Sequence, residues 1–232
     1  VSDLEARKRE AAERALTYVE SGMVLGLGTG STVAHFLDLL GAALRDGSLT
    51  DLVGVPSSNR TVRESGAHGI PLGTLAQHPR LDLTVDGADE VSPSLDLIKG
   101  MGGALLREKM LVQASQRFVV IADESKAVER LGTVSPLPVE VVDWGWEGHA
   151  AFLEQRGASV TLRKEADGVP FRSDNGHLML HCRFERGIAD APALHAGLKA
   201  RAGVVETGLF LGMADRAIVA GHNGIRVLER PL

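Results

Sequence analysis

The sequence predicts an α/β fold: an open parallel sheet flanked by helices, joined to a second, smaller α+β unit. Three observations carry that expectation. Apolar strand-like runs alternate with helical patterns from the N-terminus to about residue 130, the rhythm of a parallel sheet covered on both faces. Beyond that point the order of elements changes to β-α-β-β-α-β. The tail, "RAIVAGHNGIRVLER", reads as a hairpin turned at Asn223-Gly224.

The first segment, residues 3–20, is predicted helical because Leu4, Ala11, Ala15, Tyr18 and Val19 share one face with charges elsewhere. "MVLGLG" is a buried strand, "GTGST" a turn, and "VAHFLDLLGAAL" an apolar helix. "DLVGVPSS" is a second strand with a polar end, followed by the helix "NRTVRESGAHG", closed by glycine. "IPLG" is short and extended. "LDLTVDGADE" alternates Leu81, Leu83 and Val85 with Asp82, Thr84 and Asp86, the period of a strand. "DLIKG" is a further short strand, "ALLREKMLVQASQ" a helix and "RFVVIADES" a strand with a polar end. In the second unit "PLPVEVV", "ASVTLRK", "HLMLHCRF" and "VVETGLF" are strands, and "WEGHAAFLEQRG" and "DAPALHAGLKARAG" are helices. That order is the ferredoxin-like split unit. The tail is expected to rejoin the first sheet, which places one domain at residues 1–130 and 207–232 and the other at 131–206.

Composition excludes several classes of function. At 44% hydrophobic and 24% charged residues, a 232-residue chain can bury a core without covalent staples. Aromatic residues make up only 4% and the net charge is -5. Neither a base-stacking surface nor a basic footprint for nucleic acid is expected. The single cysteine, Cys182, rules out an internal disulfide framework and any multi-cysteine metal site. With no signal-peptide pattern and no apolar run of ~20 residues, the chain is expected to be cytoplasmic and soluble, without membrane partners.

In an open parallel sheet, ligands bind beyond the carboxyl ends of the strands. The polar residues that follow the predicted strands are Gly28 to Thr32, Ser57 and Ser58, Asp86 to Glu90, Lys99 with its glycines, and Asp123 to Lys126. "GLGTGST" matches neither the dinucleotide fingerprint nor the nucleotide P-loop. It reads as a small-phosphate site at a helix start or as a tight turn with a Ser/Thr cap. "DGADE" reads as a magnesium site, as a binder of sugar hydroxyls, or as a solvated acidic turn. In "KGMGGALLREK", Lys99 precedes a glycine turn with exposed N–H groups, and Glu108 falls in the second turn of the helix that follows. Glu108 is either a base whose pKa is raised beside an apolar wall, or a surface glutamate paired with Arg107 or Lys109.

"GLGTGSTVAHF", "VDGADEV", "IKGMGGALLREK", "IADESK" and "PLPVEV", in this order, closely resemble ribose-5-phosphate isomerase, type A, from Lys8 to "GVVETGLF". The resemblance implies a Rossmann-like parallel-sheet domain with a smaller ferredoxin-like α+β domain. It implies no cofactor and no metal, and a homodimer or homotetramer. The activity implied is conversion of D-ribose 5-phosphate to D-ribulose 5-phosphate in the non-oxidative pentose phosphate branch. Glu108 matches the catalytic base; Lys99 and Asp86 take the supporting catalytic roles. Substrate binding falls to Thr29, Gly30, Ser31 and Thr32, to Asp86, Gly87, Ala88 and Asp89, to Lys99, Gly100, Met101 and Gly102, and to Lys126 with Lys8. Met101 stands where the family usually has glycine; a positive φ there would strain it. Two alternatives remain: a sugar-phosphate-binding regulatory module of the same superfamily, and a nucleotide-dependent dehydrogenase, which the glycine spacing disfavours.

Overall fold

The computed structural model describes residues 3–230. In chain order the elements are α1 (Asp3–Leu16), β1 (Val24–Leu27), α2 (Ser31–Asp46), β2 (Val53–Pro56), α3 (Asn59–Ala67), β3 (Leu83–Gly87), β4 (Glu90–Val91) and β5 (Leu97–Ile98). They continue with α4 (Leu105–Ala114), β6 (Phe118–Asp123), a 3-10 turn (Glu124–Lys126), β7 (Leu137–Val141), α5 (Glu147–Glu154), β8 (Ala158–Leu162) and β9 (Leu178–Phe184). The last are α6 (Ala191–Lys199), β10 (Val204–Thr207), β11 (Leu209–Phe210), β12 (Arg216–Gly221) and β13 (Gly224–Glu229).

Two compact units form. Of the described residues, the first comprises 3–88, Arg107–Ala127 and 213–230; the second comprises Asp89–Leu106 and Val128–Gly212. The first unit is built on a sheet of order β13-β12-β6-β3-β1-β2, parallel except for β13. Its inner strands are buried, so they read as apolar runs rather than alternating ones. Leu25, Leu27, Leu83, Val85, Val119 and Ile121 pack with Phe36, Leu37 and Leu40 of α2 and with Ala11, Ala12 and Ala15 of α1. Each large side chain so buried contributes about 1.5–3 kcal/mol. The tail rejoins this sheet as expected, β12 pairing with β6. The hairpin loop is His222-Asn223, and Gly224, at φ 95°, opens β13.

The second unit carries an antiparallel sheet of order β10-β7-β9-β8, with α5 and α6 as its helices. This is the predicted ferredoxin-like arrangement. Leu137, Val139, Val141, Leu178, Leu180 and Cys182 meet Leu153 of α5 and Leu194 and Leu198 of α6. Asp190 caps α6 by accepting the Ala193 N–H at 2.9 Å. Burial pushes the Cys182 thiol far above its ordinary pKa, in keeping with a small core hydrophobe.

Several expectations need correction. The first helix ends at Leu16 rather than near residue 20; the Thr17 hydroxyl donates back to the Arg14 carbonyl at 2.8 Å and a turn follows. "DLI" does not join the parallel sheet: β5 lies between β4 and β11 in a small antiparallel sheet. "VVETGLF" is two strands, broken at Gly208, whose N–H donates to the Pro138 carbonyl at 2.7 Å. The small sheet explains why residues 89–106 sit with the second unit. β11 follows directly on β10, and the Glu90 carboxylate accepts N–H groups from Gly132, Val134 and Ser135.

His149 gives this unit a pH dependence. It is buried, accepts a hydrogen bond from Arg201 at Nδ1 (3.2 Å), and has its pKa lowered by burial and, secondarily, by the Arg201 charge. The folded state therefore favours the neutral ring. Its contribution is complete above the unfolded pKa of ~6.5 and is lost as pH falls from there toward the lowered folded value. Urea titrations at descending pH should show stability falling below pH ~6.5, with a smaller fall in His149→Gln.

Candidate active site

In the first unit, the turn after β1 and the turn after β3 are locked together. The Asp86 carboxylate, with no exposure to solvent, accepts the Thr29 N–H at 3.1 Å and the Gly87 N–H at 2.7 Å, both on Oδ1. The Gly28 N–H donates to the Val85 carbonyl at 3.0 Å. A Cβ at Gly28 would overlap the Asp86 carboxylate, so the glycine at this turn is a requirement of close approach. Thr29 Oγ1 does not stand free at the rim. It lies 2.7, 2.8 and 3.0 Å from the hydroxyls of Ser57, Ser58 and Thr61, and Thr61 in turn donates to the Gly28 carbonyl at 2.8 Å. Ser58 also caps α3, accepting the Thr61 N–H at 3.0 Å.

α2 begins immediately after this turn, with Gly30 at φ 141° in the N-cap position and no side-chain cap. A Ser/Thr cap is thus not what "GTGST" supplies. Exposed Ser31 and half-buried Thr32 occupy the first turn, where helix N–H groups lack intrahelical acceptors and the dipole favours anions.

Glu108 lies in the first turn of α4, not the second, and is only 2% exposed. Its neighbour Lys109 is buried as well, whereas Met110 is exposed. Burial removes the surface-glutamate reading, and the apolar neighbours along the helix are Leu105, Leu111 and Val112, not Met110. Lys126 ends the 3-10 turn that Asp123 caps at 2.9 Å. Lys8 is bound at 2.6 Å to Glu5, which also accepts from His35 at 2.9 Å. The Lys8 ammonium, and next the His35 ring, hold the Glu5 carboxyl below its ordinary pKa.

The second unit holds Asp89, Lys99 and the glycine loop. Lys99 is 2% exposed; its Nζ lies 5.4 Å from the centroid of the Phe210 ring, and its N–H donates to the Gly208 carbonyl at 2.9 Å. A buried ammonium needs compensating partners, and an aromatic face is one. The loop turns through Gly100 (φ 102°) and Gly103 (φ 87°), closed by the Gly103 N–H on the Gly100 carbonyl at 2.8 Å. Met101 has no positive φ. Methionine is therefore unstrained at this position, and the glycine departure costs the loop nothing in backbone geometry. Met101 is held from both ends. Its N–H donates to Asp89 Oδ2 at 3.0 Å, and its carbonyl accepts from Arg163 Nη1 at 2.9 Å.

The sequence places Ser57, Ser58, Asp86, Asp89 and Lys99 at strand ends, and the structure keeps them there, whereas Glu108 moves one turn toward the start of its helix. Asp86 and Asp89 each accept backbone N–H groups, the behaviour of positioned acceptors rather than of a solvated acidic turn. Thr61, Arg163, Phe171 and Phe210 were missed. Arg163 lies 62 residues from Met101, and nothing local in "TLRKE" signals the contact.

Two outcomes follow. Met101→Gly should leave turnover within about twofold of the parent and lower stability by about 0.5–1 kcal/mol through chain entropy, measured by steady-state assay and denaturant unfolding. Gly28→Ala should destabilise by about 1–3 kcal/mol and weaken ligand binding, because its methyl displaces Asp86.

Comparison with known proteins agrees with this architecture. The family model described as ribose 5-phosphate isomerase A (phosphoriboisomerase A) matches residues 53–224. Ribose-5-phosphate isomerase A of Roseiflexus castenholzii is 54% identical over 224 residues, covering 97% of this chain and 95% of its own. That of Gloeobacter violaceus is 52% identical over 227 residues, covering 97% of each. A D-ribose-5-phosphate isomerase solved in complex with phospho-erythronic acid superposes with a TM-score of 0.96 at 39% identity, over 98% of this chain and 100% of the other. The Plasmodium falciparum ribose 5-phosphate isomerase gives 0.95 at 35% identity, over 99% and 100%.

Proposed function

This chain belongs to the ribose 5-phosphate isomerase A family, and on that premise we propose how its residues interconvert D-ribose 5-phosphate and D-ribulose 5-phosphate. The observation that carries the assignment is Glu108: a carboxylate almost fully withdrawn from water, on the helix that follows Lys99 and the glycine loop. Aldose-to-ketose conversion moves one proton from C2 to C1 through an enediolate. Glu108 takes the C2 proton, holds it, and returns it to C1 on the same face, while the O2 hydroxyl proton passes to O1. A positioned base of this kind is worth about 10²–10⁴-fold.

Charge develops on O1 and O2 as the C2–H bond breaks. The Lys99 ammonium and glycine-loop N–H groups stabilise it; losing one such donor typically costs about 3–4 kcal/mol. Asp86 and Asp89 bind sugar hydroxyls, and Asp86 assists ring opening. The α2 N-terminus with Ser31 and Thr32, together with Lys126 and Lys8, holds the phosphate, and that remote binding orients C2 toward the base. A sugar-acid phosphate bound to a 39%-identical relative supports this ligand class. No nicotinamide or metal step is part of the scheme.

The regulatory-module alternative is not favoured, since relatives 47–54% identical over nearly the whole chain are named isomerases. None of the described helices is long and apolar enough to cross a membrane; we place the enzyme in the cytoplasm, as a homodimer or homotetramer, on the family resemblance.

Glu108→Gln keeps the side chain's shape and removes the base. Turnover and solvent exchange of the C2 proton should fall by at least about 10²–10⁴-fold, with sugar-phosphate affinity retained within a few-fold. Full turnover by this variant would remove Glu108 from the role.

A further inference from the structure

We propose that Arg163 is a positioning residue of the isomerisation: by gripping the Met101 carbonyl it aims the Gly102 N–H at the developing oxyanion. The inference rests on the reading of the glycine loop given above, and its geometry lies wholly within the second unit. Arg163 reaches the Met101 carbonyl at 2.9 Å and stacks on the Phe171 ring at 3.6 Å from its centroid. The Phe171 N–H donates to the Arg163 carbonyl at 3.0 Å, so the stacked pair is fixed at both backbone and side chain. The same ring closes over the loop: a Cβ at Gly103 would strike it. Arg163 is therefore a preorganised guanidinium rather than a mobile surface charge, and a planar stacked guanidinium is not replaced by an ammonium without loss.

The consequence lies in the peptide plane. In a trans peptide the C=O of one residue and the N–H of the next point in opposite directions. Holding the Met101 carbonyl toward Arg163 directs the Gly102 N–H away from it. Of the neighbouring donors, the Met101 N–H is committed to Asp89 and the Gly103 N–H to the Gly100 carbonyl. Among the described residues the Gly102 N–H has no intramolecular acceptor, and Gly102 is exposed. A cation on the carbonyl end of the same peptide polarises it, making that N–H a stronger donor. Two grips, Asp89 on the N–H of Met101 and Arg163 on its carbonyl, thus fix the orientation of the Gly102 donor.

The test uses the intact enzyme, Arg163→Met and Arg163→Lys, with two probes. Phospho-erythronic acid carries an anionic carboxylate, resembling the charge of the enediolate; ribitol 5-phosphate carries none. For Arg163→Met, kcat should fall about 10–100-fold, somewhat less than outright deletion of an oxyanion donor, with KM changed less than about threefold. Affinity for phospho-erythronic acid should fall in step with kcat/KM while that for ribitol 5-phosphate holds. Arg163→Lys, which keeps a donor but not the stack, should lie between. Unchanged kcat, or equal weakening of both probes, would overturn the assignment, the second outcome showing only a collapsed loop. If Arg163→Met fails to fold, the same two-probe ratio is read from Arg163→Lys. Assaying Glu108→Gln alongside separates the two readings: its retention of turnover removes the proposed base, whereas a missing probe contrast at position 163 removes only the loop assignment.

Discussion

Asp86 organises the turns at the strand ends of the first unit. Its carboxylate is sealed from solvent, yet it sits at the end of a strand and accepts N–H groups from two different turns. A buried carboxylate is tolerable only with such compensation. The requirement works in both directions: the amides make the burial possible, and the carboxylate dictates where the turns lie. Gly28 must then lack a side chain, β1 and β3 must be neighbours in register, and Thr29 must turn its hydroxyl toward Ser57, Ser58 and Thr61. The start of α2 follows from that arrangement.

The second unit uses the same chemistry on a smaller scale. Asp89, three residues later, accepts the N–H of Met101, and Glu90 gathers three amides at 2.5–2.7 Å. The three acids of "DGADE" thus serve four backbone turns. One short segment carries structural load out of proportion to its length, because carboxylates accept charge-assisted hydrogen bonds that loops otherwise lack.

The sequence made the main architecture legible where local periodicity and burial agree. The parallel strands announced themselves as apolar runs, and the tail by its Asn-Gly pair. It misled where the deciding partner is distant. "DLI" looks like any short buried strand, and only pairing with Leu209 and Phe210 assigns it to an antiparallel sheet. Glu108 is indistinguishable from a surface glutamate in its own helix, since Arg107 and Lys109 flank it; its burial comes from tertiary packing. Met101 stands where the family usually has glycine, which raised the prospect of strain, yet the turn takes its positive φ at Gly100 and Gly103. Arg163 was illegible for the same reason as β5: its meaning lies in a carbonyl far along the chain.

Cys182, the sole thiol, has a consequence outside catalysis. Enclosed between β7 and β8 on the central strand β9, and with its thiolate strongly disfavoured, it is inert toward sulfhydryl reagents while the second unit stays closed. The chain therefore contains its own kinetic reporter: modification of this thiol clocks the opening of that unit. A second cysteine installed at a solvent-facing position could carry a fluorophore or spin label selectively under native conditions.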